Sequence, residues 1–169
     1  MSVVSLYCRV DAKVLRKRLL SSNGFRVTTV LGEMNTSMLA PRILIADDQE
    51  EMVRTIAEAL GDSFDIIGTA EDGEHAVELA STLFPDVLIM DISMPIVNGI
   101  EAAWRLKRLG SRARIVFVTV HRDPDFIDAA RSTGALGYVW KESLGRDLAA
   151  AVQAVLQGHR FTSPFVQPG

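Results

Sequence analysis

Apolar runs alternate with amphipathic segments from Pro41 to about Gly158, which predicts five strand–helix units in succession. The predicted strands are residues 42–46, 64–70, 87–91, 114–118 and 135–139. The predicted helices are about residues 50–60, 73–83, 99–109, 124–133 and 144–157. Most of the strands are continuous apolar runs, which is typical of strands buried on both faces. Because crossovers between parallel strands share one hand, the pattern predicts an α/β, doubly wound, five-stranded parallel sheet.

Residues at the predicted helix ends support this assignment. Asp72, Asp123 and Ser143 each stand directly before a helix, where a short polar side chain can cap the free N–H groups. Gly110 and Gly134 stand where helices should stop. These signals agree with the period of the apolar positions, so we expect the helix boundaries to lie close to these residues.

Polar residues end four of the predicted strands. Asp47 and Asp48 follow the first strand, Asp91 ends the third, Thr119 follows the fourth and Lys141 follows the fifth. In an open parallel sheet the carboxyl ends of the strands share one edge, where ligands bind. Three carboxylates converging there suit a hard divalent cation such as Mg2+, which prefers oxygen ligands. The pattern therefore predicts metal-assisted phosphoryl transfer onto Asp91.

The roles of these side chains follow from charge. Asp47 and Asp48 would hold Mg2+ directly or through water, and Asp91 would be both the third carboxylate ligand and the nucleophile. Without a cation, three carboxylates would repel a phosphodonor. Taken singly, each residue has a plainer explanation, such as an N-cap for Asp47 and Asp91, a strand residue for Thr119 and a solvated loop residue for Lys141. Only their combination favours the site.

Composition says more about the cellular compartment of the protein than about its function. The 169-residue chain has one cysteine, Cys8, so no disulfide can form within it, which fits a reducing compartment. No apolar run approaches the roughly 20 residues that a membrane span needs. We therefore expect a cytoplasmic protein that has no membrane partner.

Charge divides the chain into two parts. Residues 1–39 carry six basic and two acidic residues, a net charge of +4, whereas the remainder carries 12 basic and 19 acidic residues, a net charge of −7. The acidic part disfavours direct nucleic acid binding, which needs Lys and Arg. For residues 1–39 we favour a basic, disordered extension, or one created by a start codon set too far upstream. A targeting or membrane-surface segment and a partner-binding helix stay open. The expected domains are thus an extension (1–39), a main domain (40–158) and a C-terminal tail (159–169).

The segment Asp91-Ile92-Ser93-Met94-Pro95, followed by Asn98-Gly99, completes a recognisable set with the residues at the strand ends. Residues 41–158 resemble the receiver domain of two-component response regulators, which implies a flavodoxin-like (βα)5 fold. Segments 119–123 and 158–164 resemble the NarL/LuxR-type subgroup. Members of that subgroup usually continue into a helix-turn-helix DNA-binding domain, and we expect this chain to lack one.

The resemblance implies a phosphorelay function. A histidine kinase or phosphotransfer protein would pass a phosphoryl group to Asp91, with Thr119 and Lys141 assisting and a backbone carbonyl of Ile92 or Ser93 completing the Mg2+ shell. Tyr138 stands where the family carries an aromatic residue that turns inward when the threonine moves to meet the phosphate. The resemblance implies no enzyme activity beyond the domain's own phosphorylation and dephosphorylation.

The sequence departs from the family pattern at two positions. Val120 replaces the usual small residue, and its bulk is expected to slow the access of donors or attacking water. Glu142 stands where proline is frequent. His75, His121 and His159 have no metal-ligand spacing, and we assign them no chemistry.

Three classes of function are compatible with this fold. We favour a stand-alone receiver that acts on an unknown downstream protein by contact, and the alternative is a DNA-binding regulator that has lost its output domain. The third class is an enzyme on the same sheet. A flavin protein would need a Ser/Thr/Gly-rich loop at 47–51, and an aspartyl phosphatase would need Asp-x-Asp where the chain has Asp91-Ile92-Ser93. The small apolar residues of the last helix suit the core and leave a homodimer open.

Overall fold

The computed structural model describes residues 40–164, and these form five strand–helix units and a short sixth strand. The strands are β1 (Arg42–Ala46), β2 (Asp65–Ala70), β3 (Val87–Met90), β4 (Arg114–Thr119), β5 (Gly137–Trp140) and β6 (Phe161–Thr162). The helices are α1 (Glu50–Leu60), α2 (Gly73–Leu83), α3 (Gly99–Arg108), α4 (Pro124–Ser132) and α5 (Leu144–Leu156). Single 3-10 turns cover Gly61–Ser63 and Lys141–Ser143.

All six strands are parallel and lie in the order β2-β1-β3-β4-β5-β6. Strands β1, β3, β4 and β5 are buried because helices cover both faces of the sheet, whereas the edge strands β2 and β6 are partly exposed. One face packs against α2, α3 and α4, and the other packs against α1 and α5. Successive residues alternate between the two faces, so that Leu44 faces the first set of helices and Ile45 faces the second. The predicted doubly wound parallel fold is therefore confirmed.

The helix-end signals were correct in most cases. Asp72 accepts a hydrogen bond from the backbone N–H of His75 at 2.8 Å, and Asp123 caps α4 in the same manner. The prediction that the Ser143 side chain caps α5 is wrong. Its Oγ instead accepts a hydrogen bond from the Arg146 guanidinium at 3.2 Å, because the Ser143 backbone (φ −108°, ψ 8°), at the end of the 3-10 turn, lacks the extended conformation typical of an N-cap residue.

The predicted five-stranded sheet is incomplete, because the C-terminal segment adds β6 beside β5. The N–H of Phe161 donates to the carbonyl of Leu136 at 2.8 Å, and the N–H of Ser163 donates to the carbonyl of Tyr138 at 2.8 Å. These two bonds satisfy carbonyls on the open edge of β5. The predicted C-terminal tail (159–169) therefore includes two residues, Phe161–Thr162, that belong to the sheet.

The basic extension predicted for residues 1–39 lies outside the described residues. Within residues 40–164, none of the helices is long and apolar enough to cross a membrane.

Gly99 and Gly145 provide a matched test of how tightly α3 is packed against β3. A Cβ on Gly99 would lie 2.1 Å from the carbonyl oxygen of Asp91, whereas a Cβ on Gly145 would meet nothing within 4 Å. We expect Gly99→Ala to lower the free energy of unfolding by about 1–3 kcal/mol, the usual cost of overpacking. Gly145→Ala should be neutral or stabilising by up to about 1 kcal/mol, because alanine is the better helix former. Urea unfolding followed by circular dichroism measures both, and equal stability of the two variants would contradict the packing described here.

Candidate functional site

The carboxyl ends of the central strands bring the polar residues of the sequence together. The register pairs Ala46 of β1 with Met90 of β3, so Asp47 and Asp91 emerge side by side. The N–H of Asp91 donates to the carbonyl of Ala46 at 2.8 Å, which extends the ladder by one bond. Backbone hydrogen bonds of the sheet therefore fix the separation of the two carboxylates.

Lys141 lies between these two carboxylates. Its Nζ is 2.7 Å from Oδ2 of Asp47 and 2.9 Å from Oδ2 of Asp91. The exposed fraction of the lysine side chain is 10%, and those of Asp47 and Asp91 are 0% and 5%. One buried ammonium thus neutralises part of the charge of two buried carboxylates.

Asp47, Asp48 and Asp91 each place a carboxylate oxygen within 4.8 Å of the others, close enough to hold one metal ion. Asp48 is exposed, whereas the other two are buried. The second carboxylate oxygen of each buried aspartate is bound by the backbone. Asp47 Oδ1 accepts a hydrogen bond from the N–H of Gln49 at 3.0 Å, and Asp91 Oδ1 accepts one from the N–H of Ile92 at 2.7 Å. Neither aspartate occupies a helix N-cap position, so capping does not account for them. The oxygen donors fit a hard divalent cation.

Burial and charge act against each other at this site. Burial raises the pKa of Asp47, although hydrogen bonds from Lys141 and the N–H of Gln49 partly oppose this effect. For Lys141, burial alone would lower the pKa, but its hydrogen bonds to Asp47 and Asp91 outweigh burial and raise it. The ammonium therefore stays charged at neutral pH, where it can hold an anionic group as well as the two carboxylates.

His121 connects the two remaining candidates, Thr119 and Ser93. The backbone N–H of His121 donates to Thr119 Oγ1 at 3.1 Å, and Nε2 of its imidazole ring lies 2.6 Å from Ser93 Oγ. The ring also stacks on Phe126, with centroids 4.2 Å apart. No chemistry was predicted for this histidine from its position in the sequence. Its position two residues beyond the end of β4 was the one available signal, because loops at that edge of the sheet surround the site.

Tyr138 is buried and lies beside the same loop. Its hydroxyl donates to the carbonyl of His121 at 2.9 Å, and its ring meets that of Trp140 edge-on at 5.1 Å. The inward position expected of a switch aromatic is therefore already occupied in this structure. Whether phosphorylation moves the ring stays a prediction.

The two departures from the family pattern both face outward. Val120 is 67% exposed, so its bulk stands at the rim of the site. Glu142 forms an ion pair with Arg122, which joins the loop after β4 to the turn after β5.

Comparison with known proteins agrees with the geometry. The family model described as the response regulator receiver domain matches residues 43–153. The chain belongs to the response regulator receiver domain family. It is 38% identical over 128 residues to the transcriptional regulatory protein DegU of Brevibacillus brevis, covering 74% of this chain and 54% of DegU. It is 35% identical over 124 residues to DesR of Bacillus subtilis, covering 72% of this chain and 61% of DesR. These relatives are NarL/LuxR-type regulators.

Solved receiver structures share the fold. A LuxR-family two-component response regulator from Aurantimonas superposes with a TM-score of 0.71 at 30% identity, covering 75% of this chain and 91% of that one. The receiver domain of RcsB from Escherichia coli superposes with a TM-score of 0.69 at 27% identity, covering 75% of this chain and 100% of the RcsB chain. This receiver spans about half to three-fifths of the length of the curated relatives cited above.

Tyr138 offers a test of the electrostatics of this receiver. Burial, and secondarily the negative charge of Asp91, raise the pKa of the Tyr138 phenol to about 12. The folded state favours the neutral phenol, so its stability should fall as the pH rises from about 10, the usual tyrosine pKa, towards 12. Asp91→Asn should lower the pKa of Tyr138 but leave it above its usual value, because burial is the larger cause. Phenolate absorbance during alkaline titration measures this, with Tyr138→Phe identifying the transition. Ionisation near pH 10 would contradict the buried position.

Proposed function

We propose that this receiver accepts a phosphoryl group on Asp91 and thereby switches a surface that contacts another protein. The observation that carries the proposal is the ammonium of Lys141 bound to both Asp47 and Asp91. This arrangement places the carboxylate of Asp91 next to a fixed ammonium and two further carboxylates. Such a combination of charges suits the binding and transfer of a phosphoryl group.

In the proposed reaction an oxygen of Asp91 attacks the phosphorus of the donor. The donor's bond to phosphorus breaks and the leaving group keeps the electron pair, which yields an acyl phosphate on Asp91. Lys141 keeps one negative oxygen of the transferred group in place, and Thr119 offers its hydroxyl to another. Accepting that role requires Thr119 to give up its bond from the backbone N–H of His121, which would shift the loop after β4 that contains His121.

Asp47, Asp48 and Asp91 would hold Mg2+, with a backbone carbonyl of Ile92 or Ser93 completing the shell. Bound there, the ion would supply charge neutralisation between carboxylates and phosphate. The exposed position of Asp48 supports this assignment, because it leaves one side of the carboxylate cluster accessible from solvent.

The proposed phosphodonor is a histidine kinase or a phosphotransfer protein, and the proposed location is the cytoplasm. The downstream target is proposed to be a protein, and the domain turns over no other substrate. Phosphorylation adds roughly −1.5 to −2 charges at neutral pH, which is sufficient to reorganise neighbouring loops.

Replacement of Asp91 tests the proposal directly. We expect wild-type protein incubated with acetyl phosphate and Mg2+ to gain one phosphoryl group by intact mass, and Asp91→Asn to gain none, because its amide is not a nucleophile at this pH. The matched control is Asp128→Asn, an exposed residue of α4. Labelling of the Asp91 variant to the wild-type level would refute the assignment of the acceptor.

Replacement of Lys141 tests the charge balance without any phosphodonor. Lys141→Met leaves Asp47 and Asp91 without their buried partner, so we expect the free energy of unfolding to fall by about 3 kcal/mol in the absence of divalent cations. Added Mg2+ should recover part of this loss, because it supplies positive charge to the same carboxylates. Lys107→Met, an exposed residue of α3, is the control. Urea unfolding with and without Mg2+ decides the matter, and a Lys141 variant as stable as the Lys107 variant in metal-free buffer would contradict this balance.

A further inference from the structure

Ser163 lies just beyond β6 and outside the site described above, yet it is only 3% exposed. It forms three hydrogen bonds with β5. Its N–H donates to the carbonyl of Tyr138 at 2.8 Å, its Oγ accepts from the N–H of Trp140 at 3.4 Å, and its carbonyl accepts from the indole N–H of Trp140 at 3.2 Å. One residue of the C-terminal segment therefore satisfies both N–H donors of Trp140.

Trp140 immediately precedes Lys141 in the chain. The Asp147 carboxylate, buried in the first turn of α5, has a pKa lowered mainly by its hydrogen bond from Arg146, and the nearby Ser163 hydroxyl contributes a smaller effect in the same direction. The 3-10 turn that carries Lys141 is thus held by Ser163 at its start, through Trp140. Within the described part of the C-terminal segment, Ser163 is the residue whose side chain hydrogen-bonds to β5.

The ring of Trp140 extends the connection to the other loop of the site. It meets the ring of Tyr138 at 5.1 Å, and the guanidinium of Arg122 lies 5.8 Å from its centroid. Arg122 belongs to the loop that follows Thr119 and pairs with Glu142, next to Lys141. A shift of either loop therefore changes the surroundings of Trp140.

We infer that Ser163 is a positioning residue for phosphoryl transfer: it locks Trp140, and through Trp140 it fixes Lys141 against Asp47 and Asp91. The inference rests on the proposed function of the site. Coupling between two sites is reciprocal in free energy, so loading Asp91 must also act on the bonds of Ser163. The bonds that hold Ser163 and its strand against β5 should weaken together when Lys141 turns from the carboxylates towards the phosphoryl group.

Substitution of Ser163 tests the positioning role. Ser163→Ala removes the acceptor of the Trp140 N–H, so we expect phosphorylation by acetyl phosphate to slow by at least about fivefold, because a displaced Lys141 no longer holds the phosphoryl oxygen in place. Thr162→Ala is the matched control, because Thr162 is exposed on the same strand and its substitution should leave the rate unchanged. Ser163→Thr keeps the hydroxyl and should retain most of the wild-type rate.

A spectroscopic measurement separates positioning from a loss of stability. The chain has two tryptophans, Trp104 and Trp140, so a Trp104→Phe background reports on Trp140 alone. With Mg2+ and beryllium fluoride, the compound present as a phosphomimetic in a solved RcsB receiver, we expect the Trp140 emission to shift. The same addition to Trp104→Phe/Ser163→Ala should give a smaller shift.

Amide hydrogen exchange on the wild-type chain requires no substitution at Ser163, and it decides the question even if that variant folds poorly. The N–H groups of Phe161 and Ser163 should exchange at least about fivefold faster with Mg2+ and beryllium fluoride than with Mg2+ alone. The N–H of Asp65, which donates to the carbonyl of Pro41 at the opposite edge of the sheet, is the control and should not change.

The outcomes distinguish a failure of the proposed function from a failure of the inference about Ser163. Wild-type protein that takes up no phosphoryl group would overturn the proposed function, and the inference with it. Wild-type protein that is phosphorylated normally, with unchanged or slower exchange at Phe161 and Ser163, would overturn the inference alone. A wild-type phosphorylation rate in a folded Ser163→Ala variant would overturn it as well.

Discussion

A buried ammonium shared by two buried carboxylates is the interaction on which the geometry of this receiver depends. Carboxylates taken out of water are costly unless a cation or hydrogen-bond donors compensate them. Lys141 supplies one charge against Asp47 and Asp91, and backbone N–H groups bind the opposite oxygens. The cluster still carries excess negative charge, since Asp48 lies beside it. That excess makes the site receptive to a cation, while the lysine offsets part of the charge when none is bound.

The parallel sheet makes this arrangement possible. Asp47 and Asp91 follow neighbouring strands whose ladder sets their separation, and Lys141 reaches them from the far side of β4. The close approach of Gly99 to the carbonyl of Asp91 then fixes the acceptor from the other side. Strand order, one glycine and one long side chain thus determine the site together, and none of them would suffice alone.

The sequence was sufficient to predict the parts of the molecule that follow from periodicity and topology. Buried strands are visible as apolar runs, and the carboxyl ends of parallel strands must meet, so the convergence of Asp47, Asp91 and Lys141 could be expected. The sixth strand could not, because the two residues of Phe161–Thr162 are too short to show a period. The contacts of His121 with Ser93 and of Ser163 with Trp140 depend on rotamers and loop paths, which no pattern along the chain encodes. Ser143 shows the same limit, since its backbone at the end of a 3-10 turn lacks the extended conformation of an N-cap residue.

The uneven exposure of the three carboxylates has a consequence for how the site responds to dissolved salt. Asp47 and Asp91 are covered, and Asp48 alone faces solvent. Salt screens interactions between exposed charges much more than it screens buried pairs. Raising the ionic strength should therefore weaken the attraction of Asp48 for a cation while it leaves the buried pairing of Lys141 with Asp47 and Asp91 in place.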